Sequence, residues 1–155
     1  MSEKVLKGRR VCKGKAEGEA LVSQMPISFM TMMDAKTGVI QANGHDLEGM
    51  SVVGKILVFP IYRGSSADPY SFLELVRCKT QPKGIINVEA THISAVGAVM
   101  GNIPMMDKLD GNPLELIKTG DFVELDADQG IVKIRPRDSL TTYPENPALI
   151  READT

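Results

Sequence analysis

Arg63, Gly64, Ser65 and Ser66 stand together between an apolar run and an amphipathic one, and no other stretch of this 155-residue chain is better equipped for chemistry. Gly64 allows close backbone approach, the serines offer hydroxyl donors and acceptors, and Arg63 adds a planar cation. At the start of a helix, where unpaired N–H groups carry partial positive charge, these four residues make a corner suited to an anion. The same pattern also fits a capped turn with a surface arginine. Asp34, in Asp34-Ala35-Lys36-Thr37-Gly38, and His45, in Asn43-Gly44-His45, are further pocket candidates; equally, Asp34 reads as a turn former and His45 as a residue kept near the surface by the Asn-Gly turn.

The elements that must position this corner are legible on both sides. Ile56-Leu57-Val58-Phe59 is β-forming and is closed by Pro60, so it reads as a buried strand that ends where proline removes the next donor. Asp68-Pro69 reads as an N-cap and first helical residue, with Phe72, Leu73 and Val76 on one apolar stripe and an end near Pro82. Elsewhere, residues 5–22 read as two strands about a turn and residues 25–33 as a methionine-rich loop, either core filler or a docking surface. Val39-Ile40 is a short strand, residues 84–87 a buried strand, 94–100 a small-residue helix, 103–106 a strand and 114–118 a short helix. Residues 120–134 alternate about Asp126-Ala127-Asp128-Gln129-Gly130 as a hairpin. The strand and helix alternation over residues 55–106 predicts right-handed βαβ units and a largely parallel sheet, hence an α/β fold. Residues 1–137 are expected to form one domain, and 138–155, rich in proline and charge, a loosely ordered tail.

Composition narrows the function classes. With 43% hydrophobic residues, 25% charged residues and a net charge of −2, the chain suits one domain with a real core and shows no general pull toward nucleic acid or membrane. Its basic N-terminal residues lack interleaved aromatics and read as a solvated face. No apolar run approaches the roughly 20 residues that cross a bilayer, and the N-terminus lacks a signal peptide's apolar centre, so a cytoplasmic protein is expected. Cys12 and Cys78 are too few to ligate an iron–sulfur cluster, and His45 and His92 stand alone, so no metal is expected on this chain.

Several segments, in their order along the chain, resemble the small subunit, or swivel domain, of the aconitase X family. They are Ser28-Phe29 with Asp34-x-x-Thr37-Gly38; His45-x-Leu47-x-Gly49-x-Ser51; Pro60-x-x-Arg63-Gly64-Ser65; and Ile86-Asn87 followed by Ala95-Val96-Gly97-Ala98 and Ile103-Pro104. The resemblance covers about Gly8 to Arg135. It implies a three-layer β/β/α swivelling domain, with a partly parallel sheet and a C-terminal β-hairpin, that closes over a large subunit. It also implies a hydro-lyase in which the large subunit carries an iron–sulfur cluster or other metal and most of the pocket. Ser65 would be the base that removes the substrate's α-proton, with Arg63, Gly64, Ser66, Asp34 and His45 in support. Substrates in that family are anionic hydroxy acids, 5-phosphomevalonate or cis-3-hydroxyproline. The chain departs from the family's habits at Thr31-Met32, Gln41-Ala42 and Thr91-His92, loop positions that bear on substrate and docking rather than on fold.

Two other readings compete. Thr91 to Pro104 also resembles the phosphohistidine segment of PEP-utilising swivelling domains, but there the phosphohistidine position falls on Ile93, one residue and about 100° of helix from His92. A non-catalytic interaction subunit is the other, in which Ser65 would be dispensable.

Overall fold

In the computed structural model, which describes residues 3–137, the chain passes through β1 (Lys4–Lys7), β2 (Arg9–Cys12), β3 (Lys15–Val22), α1 (Phe29–Met32), β4 (Met33–Asp34), β5 (Val39–Ile40) and β6 (Ile56–Phe59). It continues through α2 (Pro69–Arg77), β7 (Gly84–Asn87), α3 (His92–Gly101), β8 (Met105–Asp107), α4 (Pro113–Leu116), β9 (Phe122–Asp126) and β10 (Ile131–Arg135). The expected tail, 138–155, lies outside the described residues.

The strands run in the order β1-β10-β9-β3-β6-β7-β8-β2, with β4 and β5 as a separate hairpin. One strand serves two sheets. Lys15 to Glu19 of β3 pair antiparallel with β9, whereas Ala20 to Val22 pair parallel with β6. The chain crosses again at Gly8, since β1 pairs with β10 and β2 with β8. The result is two stacked sheets with α1, α2 and α3 on one outer side, while α4 packs against the core between the sheets.

Four consecutive apolar residues in β6 make sense in that stack, because a strand covered on both faces has no polar side. Successive residues face opposite ways: Leu57, Phe59, Ile85 and Met105 join the core beneath the helices, while Ile56, Val58, Ile86 and Met106 join the core between the sheets. The architecture is thus the expected three-layer β/β/α fold, with β9 and β10 as its C-terminal hairpin. The parallel part is confined to β3, β6, β7 and β8, so the sheet is mixed rather than largely parallel.

Local expectations change in places. Residues 4–22 hold three strands because Gly8 breaks the first segment. The methionine-rich loop contains one helical turn, α1, capped by the Ser28 hydroxyl, which accepts from the Thr31 N–H. On α2 the inward residues are Pro69, Phe72 and Leu75, and Leu73 is exposed. The helix α3 begins at His92, two residues before the apolar run, because Thr91 and Ser94 cap it reciprocally.

Gly8 is where no side chain fits. A Cβ there would lie 2.4 Å from Leu109 Cδ2 and 2.8 Å from the Asp107 carbonyl oxygen, and backbone on that side cannot rotate away. Gly8→Ala is therefore expected to lower stability by about 1–3 kcal/mol, the usual cost of overpacking, read as a lower urea midpoint. An unchanged midpoint would show that the crossing between sheets is free to shift.

Candidate active site

β6 delivers the chain to Pro60, and the next residues join the loop after β3 rather than the sheet. Ile27 and Tyr62 form a parallel bridge, and the Arg63 N–H donates to the Ile27 carbonyl at 3.0 Å. A turn follows, closed by the Asp68 N–H donating to the Ser65 carbonyl at 3.0 Å, and α2 begins at Pro69. Arg63, Gly64, Ser65 and Ser66 are all exposed on this turn.

The corner already holds an anion, and it is the chain's own. Asp68 is only 2% exposed, and its carboxylate receives four hydrogen bonds. Ser28 Oγ at 2.8 Å and Tyr62 Oη at 2.7 Å donate to Oδ1; the Ser65 N–H at 2.8 Å and Ser65 Oγ at 3.3 Å donate to Oδ2. Burial pushes the acid up, but the donors, Tyr62 foremost, outweigh it and hold Asp68 below the usual carboxylate range. Tyr62 is pushed up to about 12, mainly by its own burial, so it remains a neutral donor.

Asp68 is therefore not the side-chain N-cap that its place before Pro69 suggests. Its backbone is already helical, at φ −59° and ψ −31°, and its side chain bonds no N–H of α2. A capping side chain needs extended backbone to reach forward over the first turn; from a helical one Asp68 reaches back to the loop. Gly64 is explained by the same carboxylate, because a Cβ on Gly64 would lie 2.4 Å from Asp68 Cγ. The close approach that glycine permits is that of Asp68, not of an outside anion.

The other candidates separate. The Arg63 guanidinium has no ion-pair partner among the described residues, and no hydrogen bond fixes Ser66. Asp34 is a turn former: its Oδ1 accepts the Lys36 N–H at 3.0 Å and its Oδ2 the Thr37 hydroxyl at 3.2 Å, closing the β4–β5 hairpin. His45 is not near the surface as expected but 7% exposed. The Leu47 N–H donates to its Nδ1 at 3.0 Å, which leaves the proton on Nε2 to donate to the Pro26 carbonyl at 3.0 Å. The Asn43-Gly44 turn is exposed, but the chain folds the ring under itself to tie that loop to the methionine-rich segment. Neither residue bonds to the Ser65 corner. Asp68, Tyr62 and Ser28 do; of these the sequence marks Asp68 only as a helix cap and Ser28 only within a resemblance motif, and Tyr62 not at all. The spacing Ser65-x-x-Asp68 was the available signal, since it is the spacing of a turn whose last side chain can fold back onto its first residue.

His92 is exposed at the first position of α3, while Ile93, at the position a phosphohistidine would take, packs against the core beneath the helices. Among the described residues no three His, Cys, Asp or Glu side chains gather as a metal ligand set. Cys12 is buried beside the Ala98 carbonyl, and burial pushes its thiol up, with Lys13 acting in the opposite direction. Among the described residues, Ser65 and its neighbours are the group whose chemistry the geometry lets one derive. No helix among the described residues is long and apolar enough to cross a membrane.

Comparison with known proteins yields one family. The model for the aconitase X swivel domain matches residues 5–134. The phosphomevalonate dehydratase small subunit of Methanosarcina acetivorans is 42% identical over 135 residues, covering 86% of this chain and 94% of the relative. That of Thermococcus kodakarensis is 45% identical over 129 residues, covering 83% and 95%. Among solved structures, the holo form of Thermococcus kodakaraensis aconitase X superposes with a TM-score of 0.80 at 44% identity, over 84% of this chain and 98% of the other.

Proposed function

Because the chain belongs to the aconitase X swivel-domain family, we propose that it is the small subunit of a phosphomevalonate dehydratase and that Ser65 is the base removing the substrate's α-proton. It is a hydro-lyase subunit, dependent on a large subunit. The observation that carries the role of Ser65 is its place: an exposed hydroxyl past the end of β6, donating to a buried carboxylate. Arg63, free of any ion pair among the described residues, is the cation to meet the substrate's charge, and Ser66 shapes the loop. Curated relatives at 41–45% identity, with nearly their whole length covered, favour phosphomevalonate over cis-3-hydroxyproline.

The large subunit supplies what this chain lacks. A base must work out of water, and here Ser65 is exposed, so a partner has to close the corner. Met30 on α1, Ile61 beside Tyr62, and Tyr70 and Leu73 on α2 are exposed on the segments that meet at Ser65, an apolar rim suited to that closure. The large subunit's iron–sulfur cluster or other metal, when bound, would act as a Lewis acid toward the departing hydroxide. We place the assembly in the cytoplasm.

The test is reconstitution with the separately purified large subunit. The chain alone is expected to leave phosphomevalonate unchanged, and the assembled complex to eliminate water from it, followed by mass spectrometry of the product. A complex that assembles, holds its metal and yet dehydrates only a different hydroxy acid would replace the substrate while keeping the hydro-lyase; one that dehydrates nothing would overturn the proposal.

A further inference from the structure

Ser65 presents a problem that its surroundings also solve. A serine base is ordinarily pictured as an alkoxide held by positive neighbours, yet the group against Ser65 Oγ is an anion, Asp68 Oδ2 at 3.3 Å. Two negative oxygens at that distance repel, so an alkoxide formed in advance is disfavoured here. The hydroxyl instead points its proton at a carboxylate that can take it.

We propose that Asp68 is the positioning residue that makes Ser65 a base, holding the hydroxyl by hydrogen bond and receiving its proton in the same step in which Ser65 takes one from the substrate carbon. The inference rests on Ser65 being the base. In that step the substrate's C–H bond breaks and its proton bonds to Ser65 Oγ. The Ser65 O–H bond breaks and its proton bonds to Asp68 Oδ2. The electron pair stays on the substrate carbon until the hydroxyl on the neighbouring carbon leaves, and one unit of negative charge has moved from Asp68 to the substrate. After the hydroxide departs, Asp68 passes its proton through Ser65 to solvent and both groups are reset.

The geometry suits this work in three ways. Asp68 grips both the N–H and the hydroxyl of Ser65 through one oxygen, fixing backbone and side chain together. Its other oxygen is held by Ser28 and Tyr62, so the carboxylate cannot rotate away. Tyr62 is itself fixed, its oxygen accepting the Phe29 N–H at 2.7 Å. Around Asp68, α1 brings Ser28, the preceding loop Tyr62 and Ser65, and α2 the Ser71 hydroxyl on the Asp68 carbonyl. Tyr62 is the titratable member of that set, and the charged Arg63 lies on the exposed side of the same loop. A carboxylate kept ionised by its donors starts each cycle ready to accept.

The experiment uses the assembled complex with phosphomevalonate and compares wild type, Ser65→Ala, Asp68→Asn and Tyr62→Phe. Asp68→Asn is expected to lower kcat by about 10²–10⁴-fold, the range of a general base, with KM little changed. In wild type, D₂O should slow kcat/KM, because the Ser65 hydroxyl proton moves in the same step as the substrate's; Asp68→Asn should abolish that solvent effect. A carboxylate that merely braced the loop would lower the rate and leave the solvent effect as it was, which would overturn the proposal. Tyr62→Phe keeps Ser65 and Asp68 in place and removes one donor from the carboxylate. Asp68 then protonates at higher pH, and the acid limb of the rate profile should move up; a limb that stays put counts against the relay even if Asp68→Asn fails to assemble. An active Ser65→Ala complex would instead remove the reading on which the inference rests, whereas an inactive Ser65→Ala with a normal Asp68→Asn would remove the relay alone.

Discussion

Ser65→Ala is expected to lower kcat of the assembled complex by about 10²–10⁴-fold while leaving the complex intact. The two halves of that result have separate causes. Ser65 is exposed and its hydroxyl makes one 3.3 Å hydrogen bond to Asp68, whereas the tighter 2.8 Å bond comes from its backbone N–H, which alanine keeps. Folding therefore loses little. The chemistry loses the atom that would receive the α-proton. Ser66→Ala is expected to retain activity, because nothing holds that hydroxyl toward Asp68 among the described residues. The measurement is steady-state turnover of each variant and of the double variant, with assembly checked by size exclusion. Turnover of Ser65→Ala at the wild-type rate would make this chain a docking and closing subunit without a catalytic group.

The fold was readable where a segment's own residues dictate its environment. β6 carries apolar residues at every position and β7 a buried Ile85-Ile86 pair, a pattern that suits doubly covered strands, and the Asp126 to Gly130 turn announces its hairpin. Gly8 hid the split between β1 and β2, because both are edge strands of charged and apolar residues whose partners, β10 and β8, lie far along the chain. The corner was readable as a place but not as a circuit. Arg63, Gly64 and Ser65 declare a strand-to-helix junction, but the carboxylate behind Ser65 depends on Asp68 having helical rather than extended backbone, and on Ser28 and Tyr62 arriving from other segments. His45 misled for a related reason: a polar turn such as Asn43-Gly44 says where the chain reverses and not whether the next ring folds inward.

Phe72→Ala is expected to be the most damaging single change to the fold, at about 3–5 kcal/mol, the range for emptying a buried phenylalanine site. Phe72 is fully buried on α2, its ring centroid 4.6 Å from that of Phe29 and 5.2 Å from that of Tyr62. On its other side α3 comes so near that a Cβ on Gly97 would lie 2.3 Å from the ring, so this site has a glycine face that cannot fill the space left behind. Against a typical domain stability of about 5–15 kcal/mol, such a loss is large; urea denaturation of the purified chain measures it. Phe29 and Tyr62 are also the residues that fix Asp68, one directly and one through its N–H. Emptying the Phe72 site should then harm turnover under conditions where the complex remains folded and assembled. Ile134→Ala, in the core between the sheets, is the control, since it removes a fully buried side chain at a cost in the same general range, about 2–5 kcal/mol. If both variants lower turnover only in proportion to the fraction unfolded, the aromatic cluster is simply core. If Phe72→Ala loses activity while still folded and Ile134→Ala does not, the packing beneath α2 sets the geometry of Ser65.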